Sequence, residues 1–87
     1  MILVKAAAGL VIEFALGSGD QPDVLSVKLP PGVSAEPFRF AVAHARGRLL
    51  IRPLDTRPAE ELVTALGVVL ASEQNIIAEV SKYRLPS

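Results

Sequence analysis

DTRPAEELVTALGVVLASEQNIIAEVSKYRL, residues 55–85, is the stretch on which the reading of this chain turns. Leu62, Val63, Leu66, Val69, Leu70, Ile76, Ile77 and Val80 recur at three- and four-residue steps. On a helix that spacing gathers them into an apolar face at least about 100° wide. Thr56 stands where an N-cap is wanted, Pro58 is tolerated in a first turn whose N–H groups lack partners, and Glu60 and Glu61 complement the positive end of the dipole. Lys82 and Arg84 lie near the negative end, and Pro86 stops the element. One helix is expected, roughly 40 Å long at 1.5 Å per residue, enough to cover a small sheet and still offer surface to a neighbour. Two residues interrupt it. Gly67 costs a helix interior about 1 kcal/mol relative to Ala, and its usual justification is close approach of another element. Glu73 occupies the apolar line between Leu66 and Val80, so either the helix bends or splits near Ser72, or Glu73 faces an interface or solvent past the sheet edge.

The chain has 87 residues, one domain spanning 1–87. A domain this small buries a modest share of its surface, yet 51% of its residues are hydrophobic and its mean hydropathy is +0.43. Some apolar surface is therefore expected to face a partner, with the Ala content as the competing explanation. Cysteine is absent, which removes disulfides, thiolate nucleophiles and Cys-based metal sites. In the opening run Met1-Ile-Leu-Val-Lys the charge lies inside the apolar stretch, and Glu13 interrupts the next apolar run, unlike a secretory leader. No apolar run reaches the length of a membrane span. The expectation is a soluble, cytoplasmic protein without membrane contact. Nine basic and nine acidic residues cancel, whereas a protein that holds nucleic acid through phosphates usually carries a basic excess. Locally the balance tips: Arg39, Arg46, Arg48, Arg52 and Arg57 share a stretch whose one acid is Asp55.

Leu10, Ile12, Phe14 and Leu16 alternate with Val11, Glu13 and Ala15, a strand with one fully apolar face. Residues 1–7 either extend this strand or form their own. Gly17-Ser18-Gly19-Asp20 is a loop. Pro22 suits a first helical turn, Val24, Leu25, Lys28 and Leu29 fit a short helix, and Pro30-Pro31-Gly32 ends it. The same residues also alternate as Leu25, Val27 and Leu29, so a strand is the competing reading; the helix is the expectation adopted over 22–29. Phe38 to Ala45 alternates strictly, Arg46-Gly47 makes a compact turn, and Arg48 to Pro53 returns as the second strand of a hairpin. The order β, short α, β, β, long α gives an α+β fold. Its economical form is an antiparallel three- to four-stranded sheet with a short helix and a long C-terminal helix packed on one face.

No chemistry announces an enzyme. His44 shares a strand face with Phe38, Phe40 and Val42 and has no partner that the sequence singles out. Glu60 and Glu61 read as ordinary first-turn acids, and no phosphate-loop, dinucleotide or metalloprotease motif occurs. Neither catalytic residues nor a metal or cofactor is expected. The other face of the hairpin is more suggestive. Arg39, Ala41, Ala43 and Ala45 alternate outward beside Arg48, Leu50 and Arg52, a flat cationic strip that a backbone, a helix or a phosphate can approach. It carries no aromatic ring for base stacking.

This layout resembles the small dimerising Pcc-type subunits of the KEOPS complex, which makes threonylcarbamoyl-adenosine in tRNA. The matching stretches are 10–16 for the first strand, 19–31 for the short helix ending in Leu-Pro, 38–53 for the hairpin, and 55–80 for an Asp-initiated terminal helix. Leu66-Gly67 and Ala71-Ser72 stand where that family's helix typically shows Leu-Arg and Asn-Ser. The resemblance is therefore to a divergent paralogue. It implies a non-catalytic scaffold subunit, a homo- or heterodimer with a related small subunit inside a larger complex, with tRNA contact available there. The residues expected at the interface are Leu66, Gly67, Leu70, Ile77 and Val80, with Arg39, Arg48 and Arg52 contacting partner or nucleic acid. A stand-alone RNA-binding domain using the arginine hairpin is the alternative. Residues 1–16 are also similar to the opening hairpin of ubiquitin-like proteins, with Gly9 at the turn. The long helix of that fold and a terminal diglycine are missing, so a conjugated modifier is not the reading adopted.

Overall fold

Alternation of apolar and polar side chains governs the chain as far as Pro53. In the computed structural model, which describes residues 1–32, 36–57 and 59–83, that alternation becomes five strands. They are β1 (Ile2–Ala7), β2 (Leu10–Ala15), β3 (Asp23–Lys28), β4 (Phe38–Ala45) and β5 (Arg48–Pro53). Every neighbour in sequence is an antiparallel neighbour in space, in the order β1-β2-β3-β4-β5. Two helices come after them, α1 (Ala59–Ala71) and α2 (Glu73–Ser81). The α+β class and the antiparallel sheet with C-terminal helices on one face are as expected; the number of strands and both helix assignments are corrected. Pro58, Arg84, Pro86 and part of the loop at 33–37 lie outside the described residues.

Residues 1–7 form a strand of their own because Ala8-Gly9 closes a two-residue hairpin. Both turn residues take positive φ, 52° and 86°, as do Arg46 and Gly47 at 54° and 73°. Positive φ at both central positions is the turn whose twist matches the flanking strands. Gly accepts it freely, while Ala8 and Arg46 hold a backbone costing about 1–2 kcal/mol for an L-residue.

The short helix expected at 22–29 is a strand. Leu25 pairs with Phe14 on one side and Phe40 on the other, and Val27 with Ile12 and Phe38. Both are fully buried. As a helix this segment would open the middle of the sheet and strand the backbone groups of β2 and β4. The prolines at 22 and 30–31 bracket the strand just as well as they would bracket a helix.

The helix expected as one is two, bent by 64° about Ser72, which is the first of the two alternatives that Glu73 raised. Sheet dimensions supply the reason. Five strands at about 4.8 Å and six residues at about 3.3 Å make a face close to 20 Å square, whereas 23 residues of straight helix would reach about 35 Å and overhang it. Ser72, with φ −104° and ψ 9°, ends α1 by donating its N–H to Val68 and Val69 and opens α2 by accepting from Ile76. After the bend α2 touches both edge strands, β1 and β5. Ile12, Phe14, Leu25, Val27, Phe38 and Phe40 from the sheet then meet Ala65, Val69, Ile76 and Val80 from the helices in one core.

Candidate functional site

One face of the sheet carries the helices; the other carries none among the described residues. Strand alternation puts Glu13, Ser26 and Arg39 in one row across this open face, and Ala15, Val24, Ala41 and Arg52 in the next. Ala43 lies beside Leu50, and Ala45 beside Arg48. Arg39, Arg48 and Arg52 are exposed and Leu50 is 58% exposed. The alanines leave a shallow hollow of about 230 Å³ bordered by Pro22, Ala41, Ala43, Leu50 and Arg52. The cationic strip read from the hairpin is therefore assembled as expected. Arg57, counted in the same basic stretch, is not part of it. Its guanidinium lies 3.6 Å from the centre of the Phe38 ring, donates to the carbonyls of Glu36 and Pro37, and sits 3.6 Å from Asp55. Arg57 is thus a clamp between the chain entering β4 and the chain entering α1.

Asp55 works at the same junction. The Leu54 N–H donates to the Arg39 carbonyl, continuing the β4–β5 ladder, and the carboxylate of Asp55 accepts the Arg39 N–H at 2.7 Å. The side chain substitutes for the next strand carbonyl, which ends β5 without leaving that donor unmet.

A second surface lies on the opposite side of the molecule. Along α1, Leu62, Ala65, Leu66 and Val69 turn inward, and Glu60, Val63, Thr64, Gly67 and Leu70 turn outward. Val63 and Leu70 are each 66% exposed, and nothing lies within 4 Å of the position a Gly67 Cβ would take. The expected interface residues therefore divide. Gly67 and Leu70 are exposed, and Ile77 is half-buried. Leu66 is likewise half-buried, with part of its side chain packed against the core, whereas Val80, 3% exposed, lies inside the core and is not free to meet a partner. The 64° bend separates them: Val80 shares a stripe with Gly67 and Leu70 only loosely, and the sheet claims the inner part of that stripe.

Glu73, the residue that breaks the apolar line, closes the outer edge of the sheet. A two-residue hairpin ends on a hydrogen-bonded pair, here Ala45 and Arg48, so Leu49, Ile51 and Pro53 turn their backbone groups away from β4. Glu73 Oε2 accepts the Leu49 N–H at 3.1 Å and stands 3.7 Å from Arg48 Nε. Pro53 has no N–H to offer. That leaves Ile51 as the one open donor on this edge among the described residues, which discourages the addition of another strand there.

His44 faces the core near the end of β4 rather than a cleft. Both ring nitrogens are shielded from solvent and have no hydrogen-bond partner among the described residues, so a substrate cannot reach them in this conformation. Among the described residues no group of His, Asp and Glu side chains is arranged to hold a metal ion. No single helix there is long and apolar enough to cross a membrane. Comparison with protein-family models, with curated proteins and with solved structures gives no match.

Proposed function

We propose that this chain is a non-catalytic interaction subunit that meets protein partners through the open face of its sheet. The observation that carries this reading is the patch on β4 and β5, where exposed Leu50 and small alanines lie between Arg39, Arg48 and Arg52. An apolar centre with a cationic rim suits a partner surface that is apolar with acids around it. The resemblance to Pcc-type subunits gives this reading its specific form: a scaffold, paired with itself or a related small subunit, in a complex that makes threonylcarbamoyl-adenosine in tRNA. The hairpin at 38–53 and a helical C-terminal segment support that form, while the strand at 23–28, where the layout has a helix, and the bend in the terminal segment depart from it. The test is co-purification of the wild type beside Leu50→Glu. Partners held by the wild type and lost by the variant support the reading; identical partners overturn it.

The same arginines favour a second reading, an RNA-binding domain. Its mark is binding of bulk tRNA by the isolated chain with a steep loss on adding salt. A flat salt response, or no binding at low salt, removes it.

A further inference from the structure

The open sheet face and the outer face of α1 are both apolar at the centre, and their charges are opposite. The sheet face carries Lys28, Arg39, Arg48 and Arg52 against the single acid Glu13. The helix face begins at the exposed Glu60, and α1 contains no basic residue. Their shapes also match. Leu50 stands up from a floor of alanines beside the hollow, whereas on α1 Val63 and Leu70 project on either side of the vacant ground at Gly67. Lengths agree as well, since 13 helical residues and six strand residues each span about 20 Å.

We propose that the chain associates head to tail with a second copy of itself, the outer face of α1 of one copy lying on the open sheet face of the next. This rests on the proposed role of the open face as an interface, and it names the partner. Leu50 of one copy fits over Gly67 of the other, Val63 or Leu70 enters the hollow, and Glu60 meets the arginines. Pairing like faces about a two-fold axis satisfies neither. Sheet on sheet sets arginine against arginine, and helix on helix leaves the arginines unmatched. Head-to-tail contact also gives the bare sheet face the helical layer its other face already has. Because the two faces lie on opposite sides of one molecule, the contact does not close on itself. It adds copies in a column. The contact of one helix on a small sheet lies at the low end of interface sizes, so assembly is weak and depends on concentration.

The experiment is sedimentation velocity on the full chain, from low micromolar to near-millimolar, with Leu50→Glu and Leu70→Lys made separately. Both side chains are exposed, and circular dichroism and urea midpoints confirm that each variant is folded. The expected result is a wild-type mass that climbs past the dimer as concentration rises, with each variant alone monomeric. An equimolar mixture then forms a one-to-one dimer and stops there, because each variant retains the face the other lacks. A wild-type monomer at every concentration, a plateau at the dimer, an associating single variant, or a monomeric mixture would each overturn the proposal. Failure here is separable from failure of the interaction reading. If Leu50→Glu still strips co-purifying partners, only self-association falls; if it strips nothing, both do.

Discussion

Removing the Glu73 carboxylate tests whether an edge of the sheet is closed by a helix side chain. In Glu73→Ala, Leu49 loses the acceptor of its outward N–H, which Glu73 Oε2 holds at 3.1 Å. A hydrogen bond to a charged group contributes about 1.5–3 kcal/mol, and the low end applies here because water can reach an edge strand. The acid in the first turn of α2 adds about 0.5 kcal/mol through the helix dipole. The Arg48 contact adds little, since that side chain is 77% exposed and the pair is 3.7 Å apart. The loss therefore totals about 2 kcal/mol. For 87 residues the unfolding entropy is roughly 0.18 kcal/mol/K, so the midpoint of thermal unfolding should fall by about 10 °C. Glu73→Gln keeps a neutral acceptor and should lose about half as much. Differential scanning calorimetry gives both numbers, and hydrogen exchange at the Leu49 amide gives the local one. The reasoning fails if Ala and Gln behave alike, if the midpoint hardly moves, or if Leu49 exchanges no faster.

Three further substitutions probe single positions. Gly17→Ala should cost at least about 3 kcal/mol, because an added Cβ would overlap the carbonyl oxygens of Gln21 and Pro22; a urea midpoint near wild type would refute it. Gly67→Ala should stabilise the fold by about 1 kcal/mol, since the site is an exposed helix interior with open space above it; thermal unfolding of dilute, monomeric protein checks the sign. His44→Leu should raise stability by about 1 kcal/mol by removing two shielded nitrogens that lack partners among the described residues. An increased urea midpoint at unchanged slope is the expected record, and a decrease would mean that the imidazole is satisfied by water.

The β4–β5 hairpin is legible in the sequence to the residue, because strict alternation and Arg46-Gly47 leave no competing pattern. β3 is not legible. Its apolar residues are few, its prolines punctuate helix and strand equally, and what decides the matter is the presence of two neighbouring strands that each need a partner. The bend at Ser72 is half legible. Ala65, Val69, Ser72, Ile76 and Val80 would form an unbroken stripe on a straight helix, so periodicity favours the rod. Only the size of the sheet rules it out, and Glu73 is the one local sign. The same limit explains the interface residues. Spacing groups Leu66 and Val80 with Gly67 and Leu70, but which part of an apolar stripe faces the sheet depends on where the helix is laid. Arg57 reads as one more surface arginine until the fold brings Phe38 and Asp55 to it.

Because each strand pairs with the one just before it, the sheet can be built in the order in which the chain leaves the ribosome. Such local pairing favours quick assembly for a β-rich domain. The helices come last, and for as long as they are unmade Phe14, Leu25, Phe38 and Phe40 lie bare on a finished sheet. A nascent chain stalled after Pro53 is accordingly the form of this protein most prone to aggregate and most in need of a chaperone.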